Sequence, residues 1–491
     1  MAKQFIIGLD LGTTSVKACI FNRKGSLIAC VEERIISYYP KQGWAEQDAV
    51  EIEQLAVKAV RAAIEEANIG KDELIALSFS AAMHSLLAVN EQGIVISPAM
   101  IWADGRAAEQ ADAMTSTMKQ VVYARTGTPQ HPMTPFMKLL WMKENDYEPY
   151  IQAAYWMSIK EYLIYHWTNE RVIDYSMASA TGLFNPTELN WDPQVLDLVG
   201  IEANQLSRIV PPTTVLPPVK PDIAAAMGIS PALPLVIGAA DGQLANLGNG
   251  AILPGEVAVS VGTSGAIRQF SDVVKLSDKQ ETFCYAFTKD QYIIGGPTNN
   301  GGIVVQWLKE LLEDERDFGE FLRDAEQVAP GAEGLLFLPY INGERAPIWN
   351  QHAKGSFYGV TVTHKKAHFI RAVLEGITFN LYQIHRALTT PEQSIRKIYV
   401  NGGLSRSPLW LQMMADVFNA DIYVSENHHG AAWGAAWTGL VALGEVQSFQ
   451  EIKNNIPKGT ATSPQPEQVK QYAALFASYE RLGQAIHPLY H

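Results

Sequence analysis

Apolar residues alternate or run continuously in three short stretches at the start of the chain, FIIGLDLG, SVKACIFN and SLIACVEE, within residues 5–34. Gly12-Thr13-Thr14 and Asn22-Arg23-Lys24-Gly25 separate them, so the pattern predicts a three-stranded meander with polar turns. The spacing of Ile52, Leu55, Ala56, Ala59 and Ala63 then predicts a helix, opened by Asp48 and Glu51 in the manner of a capping box. A strand is expected at Leu74–Ser80. The same order returns from Gly255: EVAVSVG, the turn Gly262-Thr263-Ser264-Gly265, AIRQF, QYIIGG, and a helix containing Ile303, Val304 and Trp307. A repeated pattern of this kind predicts two domains of one fold. The Pro-rich stretch Val210–Pro234 reads as a surface connection, with the break near Gly242–Leu253. We therefore expect an α/β protein with domains 1–245 and 246–491, separated by a cleft, and an amphipathic helix over Glu467–Ala485.

Size agrees with that division, because 491 residues exceed what one core usually holds. Apolar residues at 47% and charged residues at 18% describe a folded chain. A formal charge of −13 argues against nucleic acid as a partner. No apolar run is long enough for a membrane span, and the first residues lack a signal-peptide pattern. Cys19, Cys30 and Cys284 show no CxxC spacing, so neither a disulfide framework nor a zinc site is expected, and a reducing cytoplasm is the expected compartment.

The candidate chemistry sits in the turns. Gly12, Thr13 and Thr14 offer close backbone approach and hydroxyl donors suited to phosphate, and Asp10 ends the preceding strand where it could hold Mg²⁺ through water. A plain hairpin turn is the alternative reading of that loop alone. Gly262 and Thr263 occupy the equivalent turn of the second repeat, so the two could grip one triphosphate from both sides. Gly402 and Gly403 follow an apolar strand and precede a helix near Pro408, as a nucleotide contact would require. Asp241, after the strand LPLVIG, suits a general base at a cleft and equally suits a helix N-cap. Met83, His84, Trp102, Asp104 and Arg106 cluster at adjacent strand ends, a mix that fits a polyol, although a core histidine and a structural Asp-Arg pair explain them too. His428-His429 lacks carboxylate or cysteine company and reads as loop. Gly430–Ala436 reads as a small-residue helix built for tight packing.

Together these features resemble the FGGY family of carbohydrate kinases, whose two domains are ribonuclease-H-like and actin-like. The resemblance rests on Met133–Trp141 running to Glu144-Asn145, on GSFYGVTVTHKKAHFIRAVLEG from Gly355 to Gly376, and on the order of the three loops. It implies ATP and Mg²⁺ as cofactors. Asp10, Thr13, Thr14 and Lys17 would lie near phosphate and metal, with Asp241 as catalytic base. Thr263 would touch the γ-phosphate, and Gly302, Gln306, Gly403 and Ser407 would surround the nucleotide. Met83-His84 stands where glycerol kinases have Arg-Glu, which argues against glycerol. SAAMHS, IWADGR and Gly127–Met133 are most similar to the branch that phosphorylates D-gluconate at its 6-hydroxyl, with Arg106, His84, His131 and Lys138 as the cations available to an anionic substrate. A xylulokinase-like pentulose kinase and a non-catalytic actin-like ATP-binding protein are the competing readings. A homodimer is left open by analogy alone.

Overall fold

The computed structural model describes residues 3–388, 395–424, 429–456, 459 and 461–490. Strands β1 (Phe5–Leu11), β2 (Ser15–Asn22) and β3 (Leu27–Arg34) form the expected meander, followed by α1 (Ala49–Ala67) and β4 (Leu74–Ala81). Asp48 caps α1 by accepting from the N–H groups of Val50 and Glu51. Much later in the chain, β5 (Leu235–Ala240) runs directly into α2 (Asp241–Gly248). The first sheet has the order β5-β4-β1-β2-β3, antiparallel across the meander and parallel from β1 to β5. Buried apolar strands on the parallel side are what a sheet covered on both faces demands.

The second half repeats this plan. Strands β6 (Glu256–Val261), β7 (Gly265–Ser271), β8 (Phe283–Ala286) and β9 (Tyr292–Thr298) lead into α3 (Gly302–Leu311). Beyond them come α4 (Lys366–Leu388), β10 (Lys397–Asn401), α5 (Pro408–Phe418), β11 (Asp421–Val424), α6 (Gly430–Ala442), β12 (Ala461–Thr462) and α7 (Pro466–Ile486). The sheet order β8-β9-β7-β6-β10-β11-β12 contains the arrangement of the first sheet with one strand added at each edge. The turn after β1 and the turn after β6 are therefore structural equivalents.

Helices α2 and α6 cross between the two sheets, and their contact is set by missing side chains. A Cβ at Gly434 would lie 2.1 Å from the Leu244 carbonyl oxygen, and one at Gly8 in β1 would lie 2.0 Å from that of Ala432. Backbone thus meets backbone where the halves join, as the small-residue reading of Gly430–Ala436 anticipates.

Three expectations are corrected. The Pro-rich connection contains a helix, Pro221–Met227, started by proline at its first position and closed by Gly228 in a left-handed conformation. Cys19 and Cys30 are joined as a disulfide, because they face each other across β2 and β3 with Cα atoms 4.1 Å apart. A register shift between Ile20 and Phe21 brings them opposite, and turn residues alone do not reveal it. His429 does have cysteine company: its Nδ1 lies 3.6 Å from Cys19 Sγ and 3.7 Å from Cys30 Sγ. His428 lies outside the described residues. No described helix is long and apolar enough to cross a membrane.

Candidate active site

Two cavities meet at the loop after β6. The larger, of about 870 Å³, is lined by Gly262, Thr263, Gly302, Gln306, Gly403 and Ser407, together with Asp317, Arg323, Glu326 and Arg406. The smaller, of about 340 Å³, is lined by Thr13, Met83, His84, Trp102, Asp241 and Ser264, and it shares Gly262 and Thr263 with the first. The shared loop is built by hydrogen bonds that close it on itself and on α3. Gly262 N–H donates to Ser264 O at 2.9 Å, Gly302 N–H to Gly262 O at 2.7 Å, and Ile303 N–H to Thr263 O at 3.0 Å. Gly402, at φ 97°, backs onto Val261 so closely that a Cβ would lie 2.2 Å from its carbonyl oxygen, which presses the third glycine cluster against the same loop.

The first-repeat loop faces it. Gly12 N–H donates to Ser15 O at 3.0 Å. Thr13 Oγ1 accepts from Trp102 Nε1 at 2.8 Å while Gln47 Nε2 donates to Thr13 O at 2.7 Å, so the hydroxyl proton remains available to a ligand. Thr14 is exposed. Lys17 stands opposite Asp10 in the β1–β2 register and pairs at 3.6 Å with Glu32.

Two carboxylates converge here. Asp10 accepts from the Ser80 hydroxyl at 2.7 Å, and burial raises its pKa against the opposing pull of Ser80 and Lys17. Asp241 is pushed up to about 6, first by burial and then by the nearby charge of Asp10, with Arg268 acting in the other direction. Asp241 is the first residue of α2 and not its N-cap, which is Ala240; its Oδ1 accepts from the N–H of Gly242 at 2.6 Å.

Around the smaller cavity, His84 sits at φ 69° and its Nδ1 donates to Ala180 O at 2.8 Å, leaving Nε2 as an acceptor. Burial and the charge of Lys138 hold its pKa down to about 3, so the ring is neutral. His131, expected at the substrate, does not line this cavity: it is held to about 3 as well, by burial and by Arg345, its Nδ1 accepts from Met133 N–H at 3.2 Å, and it stands edge-on to Trp349.

The cations expected from the sequence are not where an anion could use them. Arg106 is locked to Asp104 at 2.7 Å and to Glu46 at 2.6 Å, with its guanidinium 3.7 Å from the centre of the Trp44 ring. Asp104 is spent on Arg106 and on the N–H of Ala45. Neither Asp104 nor Arg106 lines the cavity. Lys138 is fully buried, its pKa lowered to about 7 by burial, and it donates to the carbonyls of His84, Met100 and Ile101. Two arginines not singled out from the sequence do line it: Arg268 on β7 and Arg345 in the segment Gly343-Glu344-Arg345-Ala346. Arg268 had one signal, since it follows the second phosphate turn on the strand face shared with Ala266; Arg345 had none.

Residues 5–248 match the FGGY family of carbohydrate kinases N-terminal domain, and residues 257–443 match its C-terminal domain. The chain belongs to the FGGY family of carbohydrate kinases. Its fold is accordingly the two-domain, actin-like fold of these enzymes, and it is an ATP-dependent sugar kinase. A gluconokinase of Bacillus licheniformis is 40% identical over 494 residues, 98% of this chain and 96% of that one. Two solved structures from Lactobacillus acidophilus, described as a gluconate kinase and as a ligand-bound xylulose kinase, each superpose with a TM-score of 0.96 at 35% identity, covering 99% of both chains. The FGGY assignment accounts for two lobes with a glycine-threonine turn in each.

Proposed function

We propose that this FGGY kinase transfers the γ-phosphoryl group of ATP to the 6-hydroxyl of D-gluconate, giving 6-phospho-D-gluconate. The observation that carries the transfer is the loop Gly262–Thr263, which belongs to the nucleotide-sized cavity and to the Asp241 cavity alike. Identity to the Bacillus gluconokinase supports gluconate as the acceptor.

In this reading the domains are 1–245 and 246–491, and ATP lies in the larger cavity. Gly302, Gln306, Gly403 and Ser407 bound the nucleoside end, while Gly12–Thr14 and Gly262–Thr263 hold the phosphates from opposite lobes. Backbone N–H groups and threonine hydroxyls suit phosphate oxygens, and catalysis is then mostly positioning and electrostatics. Asp241 accepts the proton of the attacking hydroxyl, and a carboxylate near 6 is matched to work at neutral pH. His84 Nε2 accepts from a substrate hydroxyl, and Met83 and Trp102 form the apolar wall.

The residues fit Mg²⁺ on chemical grounds: Asp10 and Asp241 are hard oxygen donors, the charge of Asp10 raises the cost of ionising Asp241, and one or two carboxylates plus phosphates is the usual magnesium set. Asp10 would hold the ion, which when bound neutralises charge developing on the phosphates. A pentulose is the second reading, favoured by the xylulose kinase description of one of the two superposed structures. Coupled ADP-release assays over gluconate, xylulose, ribulose and glycerol decide between them. Xylulose phosphorylated with far higher kcat/KM than gluconate overturns the first reading, and ATP hydrolysis indifferent to every sugar overturns both.

A further inference from the structure

The smaller cavity contains two guanidinium groups, and although the charges of Asp241 and Glu344 bear on them, no carboxylate among the described residues closes on either as an ion pair. Arg268 and Arg345 both line it, and among the described residues neither makes an ion pair. The Nε of each is shut off from solvent and lacks a hydrogen-bond partner. Arg345 spends one terminal nitrogen on the Thr298 carbonyl at 3.1 Å, and its guanidinium carbon lies 5.3 Å from the centre of the Trp102 ring. Arg268 lies over the start of α2, where a Cβ on Gly242 would come within 2.8 Å of its Nε.

An unpaired buried charge is among the costliest features a fold can carry, and two in one cavity repel each other besides. Among the described residues, Arg106 is answered by Asp104 and Glu46, Lys160 by Asp174 and Arg371 by Glu375, while the buried Lys138 is held by three carbonyls. Neither Arg268 nor Arg345 has a comparable set of acceptors among the described residues.

The phosphates do not require this pair, since the two threonine turns already offer donors to them. Strand β7 leaves the phosphate turn at Gly265, and Ala266 and Arg268 point into the cavity from the same face. From there the Arg268 side chain reaches the start of α2, beside Asp241. Arg345 is on the side of the wall made by Trp102 and His84, since its charge bears on His84 and His131.

We propose that Arg268 and Arg345 are the groups that recognise the carboxylate of the substrate, so that the cavity is built for a sugar acid and not merely for a polyol. Each carries an Nε–H beside terminal N–H groups, the fork that meets a carboxylate through two parallel bonds once the side chain turns toward it. The neutral His84 beside them serves a hydroxyl, and the charge recognition falls to the arginines alone. This rests on the proposed gluconate reading and names the residues that would make it true.

The test compares D-gluconate with two uncharged analogues of the same carbon chain, D-gluconamide and D-glucitol, in the full-length enzyme with MgATP. The readout is the ratio of kcat/KM for acid to amide. The wild-type chain favours the acid, and Arg268→Met and Arg345→Met each lower the ratio by about 100-fold, chiefly through KM for gluconate, as removal of one member of a buried charged contact does. Arg268→Lys and Arg345→Lys keep the charge without the fork, so they fold without a charge deletion and recover part of the ratio. KM for ATP, measured in every variant, moves little. If acid and amide fall in parallel while KM for ATP rises, the arginines serve the phosphoryl group and the proposal is overturned. An unchanged ratio in the lysine and methionine variants overturns it as well. A wild-type enzyme that prefers an uncharged sugar sinks the gluconate reading and this proposal together, whereas wild-type preference for gluconate with an unchanged variant ratio sinks this proposal alone.

Discussion

Asp241 combines two demands that pull against each other. As a base it must be ionised, yet burial and Asp10 both disfavour its charge. Since the raised pKa belongs to an acid, activity is lost as pH falls through it, and kcat/KM for the sugar should show an acid limb near 6. Asp241→Asn removes that limb and lowers kcat by about 10³-fold or more while both ligands still bind; turnover within tenfold of wild type removes Asp241 from the chemistry. The sign for stability is the reverse of the usual carboxylate, because a group easier to protonate in the fold favours the fold at low pH and loses that benefit as pH rises. The same variant should therefore unfold at a higher temperature than wild type at pH 8, with the gap closing at pH 5. Asp104 predicts the opposite pattern. Asp104→Ala leaves the Arg106 guanidinium buried with only Glu46, which should cost about 3–5 kcal/mol in urea unfolding. KM for gluconate in the folded fraction stays within about threefold. A large KM change at intact stability would return Asp104 to the substrate. This contrast was not legible in the sequence, where Asp104 and Arg106 stand beside Trp102 and look like one polar cluster. Glu46 and Trp44, sixty residues away, are what turn the pair inward. Arg268 and Arg345 were missed for the converse reason: an arginine becomes informative only when its surroundings fail to pair it.

At the level of elements, the two turns after β1 and β6 were readable because glycine and threonine between apolar strands have few structural reasons to recur in equivalent places. The meander, α1, β4 and the repeat from Gly255 were readable by period alone. Strand β8 went unseen, for its four residues Phe283–Ala286 are all buried and show no alternation. The helix Pro221–Met227 was hidden by the prolines around it, although proline is at home in a first helical turn. The packing of α6 was foreseen in kind but not in partner. Its glycines make a sharp prediction. Gly434→Ala drives a methyl group into the Leu244 carbonyl, and Gly8→Ala drives one into that of Ala432, so each should lower the melting temperature severely or leave the chain insoluble. Gly483→Ala in α7, where nothing lies within 4 Å, should instead stabilise by up to about 1 kcal/mol. Equal effects at Gly434 and Gly483 in thermal melts would mean that the α2–α6 contact has more slack than its geometry allows.

At the scale of the whole molecule, the two proposed ligand cavities have one loop in common; the larger is lined by the second half and the smaller by both. Ligands that complete such a cleft stabilise it by mass action, at about 2.7 kcal/mol for a concentration one hundred times Kd. A non-hydrolysable ATP analogue with Mg²⁺ and gluconate together should raise the melting temperature by more than the sum of their separate shifts, since each ligand helps to order the lobe the other must meet. Strict additivity in a thermal-shift matrix would show that the cavities do not communicate. The shared loop carries a further consequence for the end of the cycle. Once transfer has occurred, the terminal phosphate of ADP and the new phosphate ester both border Gly262 and Thr263, and one turn with so few donors cannot satisfy two anions at once. The products then crowd each other off the enzyme, and the phosphorylated acid should inhibit competitively against ATP as well as against gluconate. Product-inhibition plots that are noncompetitive against ATP would mean that the ester withdraws toward the substrate wall before ADP has left.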